Sequence, residues 1–337
     1  MSGQHSTEVS SKFSRFTIIK GSYKKVGCHE LRVDVMIPRT SLEGKGKRPV
    51  IARFHGGYLV LGDSLFPDWF PNWILDLAYK HAAIIVSPNY RLIPEATGLE
   101  VLDDIEDFWQ WLHSPAVTDL LSNQSQWSQP LELDLERIIT AGESAGGLLS
   151  IQTALSHADQ IRVCTASYPV VDIEDPFFST AFEKNILGTP QVPESVITDH
   201  IAKLVPGSVV SSAVPPERIQ LMFGFVQQGR LLEFIQRGAI SEEDIKKLIP
   251  MRRIEDDDAK LPVGGLFINH GIQDTAVPVA GSKKFIAKIQ AVMKGKQGAD
   301  NVTLTLQDGE HGYDAQTTLD EGWVQDGLTS VVSAWLE

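Results

Sequence analysis

Cysteine is scarce in this chain of 337 residues: only Cys28 and Cys164 occur, far apart in the sequence. Each lies in a strand-like segment, so we expect two buried, reduced thiols and no disulfide framework. No group of His, Cys, Asp and Glu residues has the spacing of metal ligands, so no metal ion is expected. The glycine-bearing segments 44–47 and 142–147 lack the phosphate-loop and dinucleotide-binding patterns, so we expect no cofactor.

Positive charge and long apolar runs are also lacking. There are 30 Lys and Arg residues against 43 Asp and Glu residues, and the formal net charge of −13 argues against nucleic acid or an anionic membrane as a partner. No run approaches the ~18 apolar residues of a membrane-spanning helix, and the polar segment 1–7 has no apolar stretch typical of a secretory signal. We therefore expect a cytoplasmic protein whose partner is a small molecule and neither nucleic acid nor a membrane, with homodimer formation left open.

What the sequence does contain is a regular alternation of strand and helix patterns. Alternating apolar residues at 14–22 and 30–37 predict two antiparallel strands joined by a turn near Gly27. Val- and Ile-rich strands then alternate with helices, which predicts an α/β fold with a mostly parallel eight-stranded sheet flanked by helices. The further predicted strands are 49–54, 83–87, 136–141, 161–170, 263–269 and 301–307, and the predicted helices are 67–80, 99–113, 144–157, 280–294 and 318–336.

The alternation is interrupted at residues 173–260. This segment has helical patterns at 193–204, 216–236 and 242–249, each opened by proline or a capping residue, and no strong strand pattern. We expect an all-helical lid over the carboxyl edge of the sheet. The predicted organisation is therefore one core domain, residues 1–172 and 261–337, with a helical lid at 173–260.

The segment Gly142-Glu143-Ser144-Ala145-Gly146 follows an apolar run and precedes a helical pattern. A serine on such a strand–turn–helix connection is strained and needs small neighbours, and its hydroxyl is exposed at the carboxyl edge of the sheet. Ser144 is therefore the predicted nucleophile, and the N–H of Ala145 is a predicted donor to the substrate. The alternative is an ordinary serine- and glycine-rich loop, because the pattern alone also occurs by chance.

A serine hydroxyl needs a general base, and the base needs a carboxylate that orients it. Asp274 follows the predicted strand 263–269, and His311 follows the predicted strand 301–307. The order Ser, Asp, His along the chain is typical of one α/β fold class. We therefore predict a triad of Ser144, His311 and Asp274, with Glu310 as the nearest alternative to Asp274.

His55-Gly56-Gly57-Tyr58 comes directly after the predicted strand 49–54. Backbone N–H groups held in a glycine-rich loop can stabilise the negative charge of a tetrahedral intermediate. We predict an oxyanion hole formed by the N–H groups of Gly57, Tyr58 and Ala145, with His55 as a structural hydrogen-bonding residue of the loop.

Apolar side chains near these motifs are candidates for substrate binding. Aromatic residues cluster after the oxyanion loop, and Trp69 and Phe70 are predicted to form one wall of an apolar pocket. Met222 and Phe225, in the helical interruption, are predicted to form another wall. For all four residues the alternative is ordinary packing of a helix in the core.

These motifs resemble the α/β-hydrolase superfamily, and most closely its hormone-sensitive-lipase-type branch of esterases and lipases. The resemblance covers about residues 30–336 and is carried by His55-Gly56-Gly57, Tyr90–Glu95, Gly142–Gly147, Tyr168–Asp172, Asp274 and His311. Two positions depart from that branch. Tyr58 replaces the third glycine of the His-Gly-Gly-Gly motif, as in arylformamidases, and Glu143 stands where aspartate is common. In general character the chain is similar to fungal hydrolases of secondary metabolites.

The resemblance implies a serine hydrolase that cleaves a carboxylic ester of a largely apolar small molecule through an acyl-enzyme. Tyr58 keeps open an arylformamidase-like amide hydrolysis, and the same acyl-enzyme would also serve acyl transfer or cyclisation in a biosynthetic pathway. The branch further includes plant hormone receptors that lack the triad histidine, and the presence of His311 argues against that class.

Overall fold

The computed structural model describes residues 11–39, 46–122 and 131–337. Its strands are β1 (Phe16–Val26), β2 (His29–Pro38), β3 (Arg48–Phe54), β4 (Ile84–Pro88), β5 (Leu133–Gly142), β6 (Val163–Ser167), β7 (Leu266–Gly271) and β8 (Val302–Gln307). They form an eight-stranded sheet in the order β1-β2-β4-β3-β5-β6-β7-β8. The β1–β2 and β2–β4 pairs are antiparallel and the other neighbouring strands are parallel. The predicted mostly parallel sheet is confirmed.

Helices connect these strands. Within the described ranges they are α1 (Asn72–Lys80), α2 (Gly98–Leu112), α3 (Pro115–Ser122), α4 (Ala145–Ser156), α5 (Pro176–Ser179), α6 (Ser195–Ile201), α7 (Ile219–Gln227), α8 (Leu231–Gln236), α9 (Glu242–Leu248), α10 (Pro250–Arg253), α11 (Val279–Val292) and α12 (Gly322–Leu336). Short 3-10 helices occur at Pro67–Trp69 and Ala299–Asn301. None of the described helices is long and apolar enough to cross a membrane.

Both faces of the sheet are buried, which explains the composition of its strands. In β3, Val50 and Ala52 pack in one apolar cluster together with residues of α2 and α4. Ile51, between them, packs in a second cluster with residues of α1 and α12. Because successive side chains of a strand point to opposite faces, a strand covered on both sides is apolar at nearly every position.

The parallel strands bring the predicted site residues to one edge. Gly56 follows the end of β3, Ser144 follows β5, Asp274 follows β7 and His311 lies beyond the end of β8. The carboxyl ends of parallel strands meet at the same edge of an open sheet, where ligands of such folds bind. The sheet therefore gathers residues that are up to 255 positions apart in the sequence.

The segment between β6 and β7 contains α5 to α10. The prediction of a single helix over 216–236 is wrong. The chain forms two helices there, α7 and α8, which are separated at residues 228–230. Gly229 causes this break: it has φ of +65°, and a Cβ atom there would collide with the backbone of Thr180. The division of the chain into a core and a lid stays a prediction.

Three smaller expectations are also wrong. Cys28 lies in the exposed turn between β1 and β2, and only Cys164 is buried. The strand predicted over 161–170 ends at Ser167, because Tyr168 has φ of 38°, which a strand does not accommodate. The helix predicted over 67–80 is interrupted before Asn72, where Pro71 has no N–H to continue a helical hydrogen-bond ladder.

Candidate active site

Ser144 occupies the sharp connection between β5 and α4. Its φ of 58° and ψ of −119° are unusual for a residue with a side chain, so the backbone is strained there. The turn is possible because its neighbours are small: a Cβ atom on Gly142 would collide with the carbonyl of Gly146, and one on Gly146 would collide with the carbonyl of Phe54. The Ser144 N–H donates to the Ser167 carbonyl at 2.9 Å, which ties the turn to the end of β6.

His311 and Asp274 lie together. The distance from His311 Nδ1 to Asp274 Oδ2 is 2.7 Å, and Asp274 Oδ1 accepts the N–H groups of Ala276 (2.9 Å) and Val277 (2.7 Å). His270 Nε2 is 3.2 Å from Asp274 Oδ2. Burial acts to raise the pKa of Asp274, but His311 and these hydrogen bonds hold it well below its usual value. Asp274 is thus an ionised carboxylate that orients the imidazole ring.

Glu310, the alternative to Asp274, is used differently. Its carboxylate accepts the N–H of Thr275 at 2.6 Å, the Thr275 hydroxyl at 2.7 Å and the backbone N–H of His311 at 2.8 Å. These contacts hold the histidine loop against the turn that carries Asp274. The geometry favours Asp274 over Glu310 as the partner of the imidazole.

The loop after β3 has the backbone expected of an oxyanion-binding loop. Gly57 has φ of 108° and Tyr58 has φ of 52°, and a Cβ atom on Gly57 would collide with the carbonyl of Leu61. Within the described part of the chain, the N–H groups of Gly57 and Tyr58 donate no hydrogen bond. Ala145 is the first residue of α4, where N–H groups have no partner in the helix.

Two side chains stabilise this loop. The Tyr58 hydroxyl donates to the carbonyl of Ala276, so the loop is joined to the turn that carries Asp274. The buried His55 ring stacks on Tyr90 with 4.3 Å between ring centroids, and its Nδ1 is 2.9 Å from the Gly56 carbonyl. Burial lowers the pKa of His55 to about 4, so its ring is neutral at physiological pH. These contacts agree with a structural role for His55.

These elements surround a cavity of about 370 Å³. Gly57, Tyr58, Ser144 and His311 all line it, as does Trp69, which was predicted to bind substrate. The remaining lining residues are mainly apolar and come from the helical segment and the neighbouring loops: Gly56, Asp68, Glu143, Tyr168, Leu187, Ile219, Met222, Phe223, Ala276, Gly312 and Ala315. Met222 therefore also lies where the sequence predicts a pocket wall.

Two of the predicted pocket residues are in the core instead. Phe70 is fully buried, packs edge-on against Phe13 and lies 3.7 Å from the guanidinium carbon of Arg53. Phe225 is also fully buried, with its ring centroid 4.7 Å from that of Phe234. Phe70 directly follows Trp69, and Phe225 is three positions after Met222. In both cases the neighbouring side chain lines the cavity, whereas the phenylalanine side chain is buried in the core. Neither Phe70 nor Phe225 is among the residues that line the cavity in this structure.

One buried ion pair beside Ser144 was not predicted. Arg53 in β3 donates two hydrogen bonds to Glu143, at 2.7 and 3.1 Å, and a third to the Trp69 carbonyl at 3.1 Å. Burial raises the pKa of Glu143 to about 7, and Arg53 opposes that rise. An arginine in an otherwise apolar strand could have indicated such a partner, because a buried charge is costly unless it is paired. The pair also accounts for the acidic residue that precedes Ser144.

Among the described residues, no group of three or more His, Cys, Asp or Glu side chains could hold a metal ion.

Comparison with known proteins identifies the family. A family model described as the alpha/beta hydrolase fold matches residues 51–208. The probable carboxylesterase M8 of a Phoma species is 31% identical over 331 residues, which cover 96% of this chain and 98% of that protein. The probable carboxylesterase clz11 of Cochliobolus lunatus is 36% identical over 214 residues, which cover 61% of this chain and 92% of that protein.

Solved structures share the fold at low sequence identity. Esterase B from Lactobacillus rhamnosis superposes with a TM-score of 0.61 at 13% identity, covering 98% of this chain and 90% of that one. The butyrate-bound esterase from Thermogutta terrifontis gives a TM-score of 0.57 at 17% identity, covering 96% and 94% of the two chains.

The sheet, the turn that carries Ser144 and the relatives together place this chain among the hydrolases of the α/β class. With a relative 31% identical over nearly its whole length, the chain belongs to the α/β-hydrolase family, in the branch that resembles hormone-sensitive lipase. It is a serine hydrolase of the carboxylesterase type, and its relatives support ester hydrolysis as the reaction, as the sequence predicts.

Proposed function

We propose that this enzyme hydrolyses a carboxylic ester of a largely apolar small molecule through a triad of Ser144, His311 and Asp274. The observation that carries the proposal is the 2.7 Å contact between His311 Nδ1 and Asp274 Oδ2, in a cavity that also contains the strained Ser144. Because Asp274 occupies Nδ1, the other ring nitrogen, Nε2, is the one left to act as a base.

The reaction then has two halves. Ser144 Oγ attacks the ester carbonyl while His311 Nε2 takes its proton, and the N–H groups of Gly57, Tyr58 and Ala145 stabilise the oxyanion. The imidazolium returns the proton to the leaving alcohol, which gives an acyl-enzyme. A water molecule, deprotonated by His311, attacks the acyl carbonyl and releases the acid and the free Ser144 hydroxyl.

The cavity supports an apolar substrate of modest size. Its volume of about 370 Å³ lies at the lower end of small-molecule sites. Trp69 lines one side, and Ile219, Met222 and Phe223 of α7 line another, so the largest contacts available to a bound group are apolar. We expect the acyl or the alcohol group of the substrate to lie against these side chains.

The direct test is hydrolysis of a panel of esters by Ser144→Ala. Loss of the nucleophile should reduce kcat by roughly a millionfold. Ser150→Ala is a matched control on α4, since the Ser150 hydroxyl donates to the Thr165 carbonyl away from the cavity. This control should keep its activity once corrected for the folded fraction. Full turnover by folded Ser144→Ala would overturn the proposal.

Hydrolysis of an aryl formamide is the second candidate, and Tyr58 is the feature that favours it. The Tyr58 hydroxyl, however, donates to the Ala276 carbonyl. This contact supports a structural role for the phenol and so weighs against the second candidate. Comparing kcat/KM for an aryl acetate with that for an N-formyl aromatic amine separates the two reactions. Adding competing alcohols and identifying the products by mass spectrometry separates hydrolysis from acyl transfer or cyclisation.

A further inference from the structure

Asp314 is a buried carboxylate next to the proposed triad, and the reaction above does not use it. Its side chain is fully buried and accepts three hydrogen bonds, from the Tyr168 hydroxyl (2.8 Å), the Ser167 hydroxyl (3.0 Å) and Trp73 Nε1 (3.0 Å). Among the described residues Asp314 forms no ion pair. Burial raises its pKa, while the three donors favour the carboxylate. Such a group is costly to bury, so its contacts point to a specific use.

Ser167, the last residue of β6, and Tyr168, which follows it, both donate to Asp314 and also contact proposed catalytic residues. The carbonyl of Ser167 accepts the Ser144 N–H at 2.9 Å. The ring of Tyr168 lies against the His311 ring, with 4.5 Å between the centroids and 62° between the planes. Tyr168 keeps this place with φ of 38°, a strained conformation that the surrounding contacts must maintain. Asp314 itself lies three residues after His311, on the same loop.

We propose that Asp314 is a positioning residue that fixes the His311 ring relative to Ser144 through Tyr168 and Ser167. The hydrogen bond that His311 Nδ1 donates to Asp274 holds one nitrogen of the imidazole but leaves the ring free to tilt about that contact. The Tyr168 ring limits this tilt, and Asp314 holds Tyr168. This inference rests on the proposed triad.

Other charged groups act on the same region and must be kept unchanged in the test. Lys12, Arg53 and Glu143 lie near Asp314, and Glu143 and Arg53 form their own ion pair. The groups that face His311 are Asp274, which His270 also contacts, and Glu310, whose carboxylate accepts the backbone N–H. The substitutions at Tyr168 and Asp314 leave all of these side chains in place.

The experiment compares Tyr168→Phe and Asp314→Asn with the wild type at saturating and limiting ester. Tyr168→Phe keeps the ring and removes its bond to Asp314, so we expect kcat to fall about tenfold with KM within about twofold. Asp314→Asn releases the side chains of Ser167 and Tyr168 and should lower kcat by roughly ten- to a hundredfold. The rate of Ser144 labelling by an organophosphonate should fall in parallel.

Tyr23→Phe is the matched control, because it also removes a buried hydroxyl hydrogen bond, to the Asn89 carbonyl at 2.7 Å, far from the cavity. It should leave kcat unchanged. The inference is overturned if Tyr168→Phe has wild-type kcat per folded molecule, whether or not Asp314→Asn folds. Full activity in Ser144→Ala would overturn the triad instead, so the two failures are distinguishable.

Discussion

The two walls of the cavity are built in opposite ways. The sheet-edge wall is formed by loops after β3, β5 and β8, and its residues Gly57, Tyr58 and Ser144 all have positive φ. The α7 wall is one face of a helix, with Ile219, Met222 and Phe223 pointing into the cavity. Strained backbone persists only where many surrounding contacts maintain it. We therefore propose that the sheet-edge wall carries out the reaction and that the α7 wall selects the substrate.

The two walls also differ in how much they depend on distant residues. The sheet-edge wall is joined by hydrogen bonds between Tyr58 and Ala276, Ser144 and Ser167, and His311 and Asp274. The side chains of α7 that face the cavity make only apolar contacts there. Changes on the first wall should therefore affect kcat with every substrate, and changes on the second should depend on the substrate.

Among the substitutions that compare the two walls, the largest effect is expected at Asp274. Asp274→Asn should lower kcat by about ten-thousandfold on all esters, because the imidazole loses the carboxylate that fixes its tautomer. Steady-state kinetics on a short and a long ester measure this. Glu310→Gln is the matched control and should retain activity within about tenfold. A larger loss in Glu310→Gln than in Asp274→Asn would mean that Glu310, and not Asp274, is the carboxylate that orients His311.

The pH dependence should report a single base on the sheet-edge wall. Activity is expected to fall as the pH is lowered from 8 to 5, because a protonated His311 cannot accept the serine proton. Asp274 stays ionised through this range, since its pKa is held well below its usual value, and His55 stays neutral because burial lowers its pKa to about 4. A flat kcat/KM profile from pH 5 to 8 would contradict this assignment.

The α7 wall should give a smaller effect that depends on the substrate. Met222→Ala should weaken transition-state binding by about 1–3 kcal/mol for bulky acyl esters, which lowers their kcat/KM, and should leave an acetyl ester unaffected. Phe225→Ala, on the buried side of the same helix, should instead lower the free energy of unfolding by about 3–5 kcal/mol without changing relative preference. Kinetics on an acyl-length series and chemical denaturation measure the two outcomes. Equal losses on both esters in Met222→Ala would make that side chain merely structural.

The smallest effect is expected at Tyr58. Tyr58→Phe keeps the backbone N–H and removes only the contact with the Ala276 carbonyl, so turnover of a small ester should stay within about tenfold. Loss of a true oxyanion donor costs about a hundred- to a thousandfold. A loss of that size in Tyr58→Phe would mean that the phenol itself takes part, which would favour the formamidase-like reaction.

The two walls were not equally predictable from the sequence. On the sheet-edge wall, Gly57, Ser144, Asp274 and His311 occur in short motifs directly after strands, and each motif is tied to a backbone shape that only certain residues permit. These local rules place the residues at the sheet edge because parallel strands share that edge. The parallel direction of most strands follows from the same alternation, whereas the strand order was not predicted.

Facing directions and long-range pairs were not predictable in this way. Met222 and Phe225 are three positions apart on α7, yet one lines the cavity and the other lies in the core, and no local pattern says which side faces the sheet. Asp314 accepts hydrogen bonds from Trp73, Ser167 and Tyr168, and only the folded chain brings these donors together. The same holds for Arg53 and Glu143, 90 positions apart.

The central claim is that Ser144 is the nucleophile of the sheet-edge wall, activated by His311. The most direct measurement is tandem mass spectrometry of the intact enzyme after treatment with an organophosphonate ester, in the wild type and in His311→Ala. We expect one adduct per chain, on Ser144, formed far more slowly in His311→Ala. An adduct on any other residue, or equal labelling rates in the two proteins, would contradict it.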